Sequence, residues 1–380
     1  MKISVIGGGP GGLYFGLLIK KHRPAFEVDV FEQNAADATY GFGVGLQAKS
    51  WNFLRADDAA CLDDILARAH LFHGQIIGHR GQRIHFPMRQ PSAGIARLTL
   101  LEVLRDHAQR AGVRLHHGDR INDLSAFGAC DLVVGADGVN SVVRSVHDAE
   151  FGTTRRMLTS RVAWYGTRRT FETSQLIFKQ TSHGTFWSVG YPHDQNASTF
   201  VAECDAKAFE AAGLDAMTID EQVAFTEELF AEELQGHRIA HNNSVWRALP
   251  VIRVRNWSVG NRVLLGDALH SPHPSIGSGT RLSMDDAAAL AGALDEHPAD
   301  IDRALAAYRA TREPIKQKLV DAMERSLEWY ETIGERLDGL DPVQLVFDYM
   351  GRTGRMDLDR MRKVAPEFMA RYGNDAPVQV

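Results

Sequence analysis

Two residues into the chain, the apolar run Ile3-Ser4-Val5-Ile6 leads into Gly7-Gly8-Gly9-Pro10-Gly11-Gly12 and then Leu13-Tyr14-Phe15. A strand that runs into a G-x-G-x-x-G turn and then a helix leaves few folds open. Gly7 permits the tight turn, Gly9 lets the backbone approach a pyrophosphate, and Gly12 lets helix and strand pack closely. The helix start adds free N–H groups and a partial positive charge. Phe26-Glu27-Val28-Asp29-Val30-Phe31 then alternates like a second strand and ends at Glu32. That carboxylate lies about twenty residues past Gly12, where such a unit accepts from a ribose hydroxyl. The segment therefore predicts a Rossmann-like α/β layer holding a dinucleotide.

At 380 residues the chain has room for about two to three domains. Its net charge of −6 carries no basic surplus for nucleic acid or acidic membrane. The three cysteines, Cys61, Cys130 and Cys204, are far apart and odd in number. They fit no disulfide framework or metal spacing and read as reduced, buried thiols of a cytoplasmic protein. The apolar run Ile3 to Ile19 is interrupted by glycines and Pro10, and no cleavage-like site follows it. It reads as neither leader nor membrane span.

Residues 98–111 read as a helix stopped by Gly112, followed by a strand at 113–116. Asp131-Leu132-Val133-Val134 and Arg262-Val263-Leu264-Leu265 read as short apolar strands. Residues 160–204 change character, with Thr, Phe, Trp, Tyr and Val in period-two stretches, and predict a mostly antiparallel sheet. Residues 205–235 are helical, as is most of the chain from Ser283 onward, broken near Asp338-Gly339-Leu340-Asp341-Pro342. The expected organisation is a discontinuous nucleotide-binding domain (1–70, 91–158 and 255–300), a substrate domain (71–90 and 159–254) and a helical region (301–380).

Two later segments resemble one family. Gly135-Ala136-Asp137-Gly138, continuing to Arg144, is similar to the Asp-Gly motif of the single-component (group A) FAD-dependent aromatic hydroxylases. Gly266-Asp267-Ala268-Leu269-His270, with Pro274, Gly277 and Gly279, is similar to their Gly-Asp motif. Arg97 matches their flavin-side arginine, and Gly41-Phe42-Gly43-Val44 their glycine-rich segment beside the isoalloxazine. The resemblance covers essentially the whole chain and implies a p-hydroxybenzoate hydroxylase-like fold. Trp164-Tyr165-Gly166-Thr167, the stretch Ser198 to Glu203 and the tail Ser326 to Glu331 resemble a subgroup. It includes salicylyl-CoA 5-hydroxylase, the monooxygenase half of 2-aminobenzoyl-CoA monooxygenase/reductase, and the violacein-pathway hydroxylase. The chain departs from that pattern at Arg281, at His273, and at Val189-Gly190-Tyr191, where a histidine is expected.

The resemblance implies bound FAD, transient NADPH or NADH, and dioxygen as co-substrate. The ADP half falls to Gly7, Gly9, Gly11, Gly12 and Glu32, with Gly43, Val44, Arg97 and Asp137 beside the rest of the cofactor. Gly266, Asp267, Pro274, Gly277, Ser278, Gly279 and Thr280 complete its site. A helix starting near Ser283 would present its positive end to a reduced flavin. The implied reaction is hydroxylation of an electron-rich aromatic acid, aryl-CoA thioester or indole-like ring through a flavin hydroperoxide, in a monomer or homodimer. Epoxidation or ring reduction on the same scaffold, and non-catalytic flavin binding, are the competing readings; the halogenase Trp-x-Trp-x-Ile-Pro signature is absent.

A base near a phenol or amine activates such rings, and Tyr165, His183, His193 and His273 are the candidates. Trp187, Tyr191 and Pro274 are the expected substrate pocket, against the plainer reading of Trp164, Phe186 and Trp187 as core. Asp267, His270 and His273 have a metal-like spacing, but the Gly-Asp motif already accounts for Asp267. Arg155, Arg156, Arg161, Arg168 and Arg169 are either a CoA phosphate site or a solvated sheet edge.

Overall fold

A computed structural model describes residues 1–38, 41–242, 244–271, 277 and 279–376, apart from the Lys49 side chain. His273, Pro274 and Ser278 therefore lie outside the described residues. Among the described residues the strands form two sheets and a ribbon. The first sheet contains β1 (Lys2–Ile6), β2 (Glu27–Glu32), β6 (Arg114–His117), β7 (Leu132–Gly135), β15 (Ser258–Val259) and β16 (Arg262–Leu264), in the order β15-β16-β7-β1-β2-β6. All its pairings are parallel except β15–β16. β1 and β7 are buried along almost their whole length, as parallel strands covered on both faces require.

The second sheet contains β3 (Gly43–Gln47), β4 (His70–His79), β5 (Gln82–Ala96), β9 (Arg161–Thr167), β10 (Ser174–Thr181), β11 (Gly184–Asp194), β12 (Ala197–Cys204) and β13 (Ile239–His241). Their order is β13-β9-β12-β11-β10-β4-β5-β3. β9 to β12 pair antiparallel, as the alternation predicts, while β10 and β4 run parallel. β8 (Thr153–Met157) and β14 (Pro250–Val254) form the ribbon.

The helices are α1 (Pro10–His22), α2 (Ala48–Ala67), α3 (Arg97–Arg110), α4 (Val142–Val146), α5 (Asp148–Phe151), α6 (Ala206–Ala211), α7 (Ile219–Leu229) and α8 (Ala231–Leu234). They continue with α9 (Gly279–Glu296), α10 (Ile301–Glu331), α11 (Ile333–Gly339), α12 (Pro342–Gly351), α13 (Leu358–Val364) and α14 (Pro366–Tyr372). Among the described residues no helix is long and apolar enough to cross a membrane.

Two expectations need correcting. Residues 43–47 and 91–96, assigned from sequence to the nucleotide layer, are strands of the larger sheet, with Gly43 opposite Ala96. Their few residues hold too little periodicity to show which sheet they join. The helix expected from Ser283 begins at Gly279, because its first turn reads as loop-like glycine in sequence.

Among the described residues, three larger cores hold the layers, and a small cluster of Leu158, Val251, Met323 and Leu327 adds a fourth. The first buries α1, α3 and α9 against the parallel sheet. The second packs Trp187, Phe178 and Leu176 of the larger sheet against Trp329, Tyr330 and α12–α14. The third lies on that sheet's opposite face, where Tyr165, Phe186 and Phe200 meet α6–α8.

The glycine turn packs tightly against the first core. A Cβ at Gly12 would lie 2.0 Å from the Gly7 carbonyl oxygen, whereas one at Gly9 would meet no protein atom within 4 Å. Gly12→Ala is therefore expected to lower stability by about 3 kcal/mol, the upper end of the usual overpacking cost. Gly9→Ala should melt like the wild type without ligand and lose affinity for a dinucleotide. Thermal melts paired with cofactor titration check both outcomes.

Candidate active site

β1 delivers the chain to Gly7, whose φ of +108° only glycine adopts freely. The backbone turns over Glu32 at the end of β2. The Glu32 carboxylate accepts from Gly8 N (2.8 Å), Asn34 N (2.9 Å) and Asn34 Nδ2 (2.6 Å). It thus braces the glycine turn and retains lone pairs for a further donor. Gly9 stands before α1 with open space on its outer side, a cradle for a pyrophosphate at a helix N-terminus.

A cleft leads away from this turn. Asp267 is open to water yet enclosed by enough protein that burial raises its pKa, with His270 and Arg97 pulling it back down. Arg97, at the start of α3, is correspondingly desolvated, which lowers its pKa against the opposing pull of Asp267, Glu32 and Tyr191. The Arg97 guanidinium thus lies within the field of groups from both ends of the cleft. Its backbone N–H donates to Phe42 O (2.8 Å), and the Tyr191 hydroxyl donates to Gly43 O (2.8 Å). The segment before β3 is so pinned against the larger sheet. Burial pushes Tyr191 up to about 12, so it remains a neutral donor.

The Gly266 turn is held by a residue with no sequence signal of its own. Asp286 of α9 is fully buried. Its carboxylate accepts from Gly266 N (3.1 Å), His270 Nε2 (2.9 Å) and Arg312 Nε (2.7 Å). Burial would raise its pKa, but the His270 and Arg312 partners outweigh that and hold it below the usual carboxylate range. Buried Arg144 bridges the two later motifs by donating to Ala268 O (2.7 Å). Asp137 Oδ2 accepts from Val142 N (2.6 Å) and Val143 N (3.3 Å) at the start of α4, so its observed contacts belong to the turn that leads to Arg144. His270 is taken up by Asp286, and among the described residues no metal-holding group of His, Cys, Asp and Glu occurs.

The larger sheet presents one face to this cleft. Strand alternation places Trp187, Val189, Tyr191 and His193 on that face. In register with them are Thr199, Val201 and Glu203 of β12 and Val162, Trp164 and Gly166 of β9. At one end a Cβ on Gly166 would strike Phe42. At the other, Trp187 stacks on Tyr330 with ring centroids 5.2 Å apart. Between them Trp164 and Val189 are only partly covered.

The expected catalytic and pocket residues separate accordingly. Tyr165 is corrected to the opposite face, buried with Phe200 in the third core, because it alternates with Trp164. His183 is corrected to an exposed hairpin turn with its Nδ1 near Ala211 O (3.0 Å). Trp187 is corrected from pocket lining to a fully buried core ring. His193 remains beside the cleft, its Nδ1 3.0 Å from Thr199 Oγ1 and its ring against Gly43, with burial lowering its pKa. Sequence reasoning missed Glu203. It is 3% exposed, and burial pushes it up to about 7, with the neighbouring Trp187 indole opposing that rise. Its position on the cleft face of β12 was its only signal.

Residues 128–323 match the family model described as an FAD binding domain. Salicyloyl-CoA 5-hydroxylase of a Streptomyces species is 36% identical over 93% of this chain and 70% of its own. The 3-hydroxy-4-methyl-anthranilyl-[aryl-carrier protein] 5-monooxygenase of Streptosporangium sibiricum is 34% identical over 94% and 95%. This chain is an FAD-dependent aromatic monooxygenase. Its fold is shared with Pseudomonas aeruginosa PqsL solved with 2-aminobenzoylacetate (TM-score 0.69, 23% identity, 89% and 98% covered).

The residues present fit FAD. The open cradle at Gly9 suits the pyrophosphate, and Arg97 and Asp267 supply a desolvated cation and anion along one cleft. Four of the five arginines considered for CoA phosphates are otherwise engaged in this monooxygenase. Arg155 pairs with Asp148 (2.9 Å), Arg156 with Glu324 (3.2 Å), and Arg161 and Arg169 lie over Phe209 and Phe171. Arg155 and Arg156 lie on the ribbon strand β8, and Arg161 begins β9 of the larger sheet.

Asp286→Asn leaves Arg312 buried beside a neutral group and is expected to cost about 3 kcal/mol. It should also weaken FAD retention by loosening the Gly266 turn. Because the folded pKa of Asp286 is depressed, its stabilisation is present above the unfolded value of about 3.9 and is lost as pH falls below it. The gap in melting temperature between wild type and variant should therefore be full at neutral pH and close in acid. Melts across pH, with flavin absorbance after gel filtration, check this.

Proposed function

We propose that this monooxygenase hydroxylates an aromatic carboxylic acid presented as a coenzyme A thioester. The ring would lie on the larger sheet's cleft face between Trp164 and Val189. The observation that carries the thioester is that the two relatives named above have an aryl-CoA and an aryl-carrier substrate in their names. FAD would rest on the Gly7–Gly12 turn with Glu32 toward the ribose, and Arg97, Gly43, Val44, Asp267, Gly277, Gly279 and Thr280 along its length. When bound, it supplies the activation of dioxygen by electrons from NADPH or NADH. The protein's part is to orient the ring and exclude water.

Glu203 would accept the proton of a ring hydroxyl or amine at its carboxylate, with Trp187 and Tyr330 walling it from solvent. A carboxyl pushed up to about 7 is suited to that work, since a base performs best with a pKa near the operating pH. His193 would sit nearer the flavin segment as a neutral hydrogen-bonding group. The bland alternative, a carboxyl buried only for packing, is disfavoured by its place on the cleft face.

The test is a screen of benzoyl-type acids, free and CoA-linked, for stimulation of NAD(P)H oxidation, with product mass. The expected result is stimulation by an aryl-CoA and a product heavier by one oxygen atom. A product without added oxygen would return the ring-reductase reading. Glu203→Gln should lower kcat about a hundredfold. It should also abolish a rise in activity centred near pH 7, because the working base is the deprotonated form. An unchanged pH profile in the variant would remove Glu203 from this role.

A further inference from the structure

The C-terminal helices carry a group of cations that the site described above leaves unused. Arg281 lies in the first turn of α9, Arg325 near the end of α10, Arg355 in the connection between α12 and α13, and Arg360 in α13. Arg325 donates from Nε and Nη2 to Thr353 O (3.0 and 2.9 Å), where Gly354 at φ +67° turns the chain. Arg360 Nη1 donates to Arg355 O (3.2 Å). Backbone carbonyls thus hold two guanidiniums in place and leave most of their five donors unused. Arg281 pairs with Asp285 (2.9 Å) and the neighbouring Arg362 with Asp359 (2.6 Å). Among the described residues Arg325, Arg355 and Arg360 have no carboxylate at ion-pair distance.

Like charges cost free energy when gathered without counter-charge. Burial and the fields of Arg281, Arg325 and Arg360 all lower the pKa of Arg355, and no acid opposes them. The chain as a whole carries a net charge of −6, so this corner runs against its average. Arginine is the side chain best suited to phosphate, through paired donors and permanent charge. The position is equally specific. Arg281 immediately follows the Gly279–Thr280 part of the cofactor loop, and Arg325 precedes Trp329 and Tyr330 by about one helical turn. The patch therefore borders both the cofactor side and the Tyr330 wall of the cleft.

We propose that Arg281, Arg325, Arg355 and Arg360 form the subsite that receives the nucleotide phosphates of a coenzyme A thioester. The aromatic acyl group would enter the cleft between Trp164 and Val189. This rests on the thioester reading above. Several phosphates on one flexible arm match several guanidiniums spread over three helices and a connection better than a single phosphate does.

The probes are coenzyme A, 3′-dephospho-coenzyme A and pantetheine, titrated calorimetrically into the FAD-loaded enzyme. The variants are Arg355→Ala/Arg360→Ala and Arg355→Glu. Coenzyme A should bind tightest and pantetheine weakest, with binding weakened by salt. The double variant should lose roughly tenfold in affinity for coenzyme A, equivalent to about 1.4 kcal/mol, while FAD content and the KM for NADPH stay unchanged. Equal affinity in wild type and variant overturns the subsite. So does a loss confined to NADPH, or arginine-dependent binding of a holo-carrier protein without binding of coenzyme A. If aryl-CoA thioesters stimulate NAD(P)H oxidation but the variants bind coenzyme A normally, the subsite falls and the thioester reading stands. If only free aromatic acids stimulate, the thioester reading falls and takes the subsite with it.

Discussion

One buried carboxylate joins the parts of this enzyme that must stay in register. Asp286 takes the Gly266 amide, His270 and Arg312 at once, so the cofactor loop, the helix that follows it and the long helix α10 share a single anchor. A buried ion pair is weak evidence of net stability, because desolvating both charges offsets most of their attraction. Its value here is geometric: slippage of α9 against α10 would leave both charges unpaired in a dry interior. Arg144 extends the same linkage to the Asp137 turn through the Ala268 carbonyl. The two sequence motifs that mark the flavin site are thus fastened to each other through a backbone carbonyl.

The larger sheet turns that frame into an active site by dividing its residues between two faces. One face buries Tyr165, Phe186 and Phe200 against α6–α8. The other carries Tyr191 to the flavin segment and Trp187 to the C-terminal helices, with Trp164, Val201 and Glu203 between. The tail closes the cleft through Trp329 and Tyr330 and also supplies arginines at its border. The helical region therefore serves the site as a wall and does more than finish the chain.

Much of this was legible in sequence where the signal is local. The glycine turn, its strand and the carboxylate at Glu32 depend on backbone conformation and a short fixed spacing. Helix α3, the antiparallel strands between 160 and 204, and the break before Pro342 follow from periodicity and turn chemistry in the same way. Signals failed where a residue's meaning depends on its partner. Trp187 read as a pocket aromatic and Tyr165 as a candidate base, yet Trp187 is stacked on Tyr330 and Tyr165 faces away, since neighbouring positions on a strand point to opposite sides. His183 read as a candidate base, but it occupies a turn, where exposure is the rule.

By itself, the amino-acid sequence determined that this chain builds a dinucleotide cradle, which family it belongs to, and which oxidative chemistry the cofactor brings. Those properties reside in contiguous motifs whose geometry short-range sterics dictate. Only the tertiary structure decided that Asp286 holds the Gly266 turn, that Glu203 lies on the cleft face beside Trp187, and that Arg355 lies in the fields of Arg281, Arg325 and Arg360. Each of these depends on side chains far apart in sequence, brought together by the packing of helices on sheets, and burial and charge acquire their meaning only there.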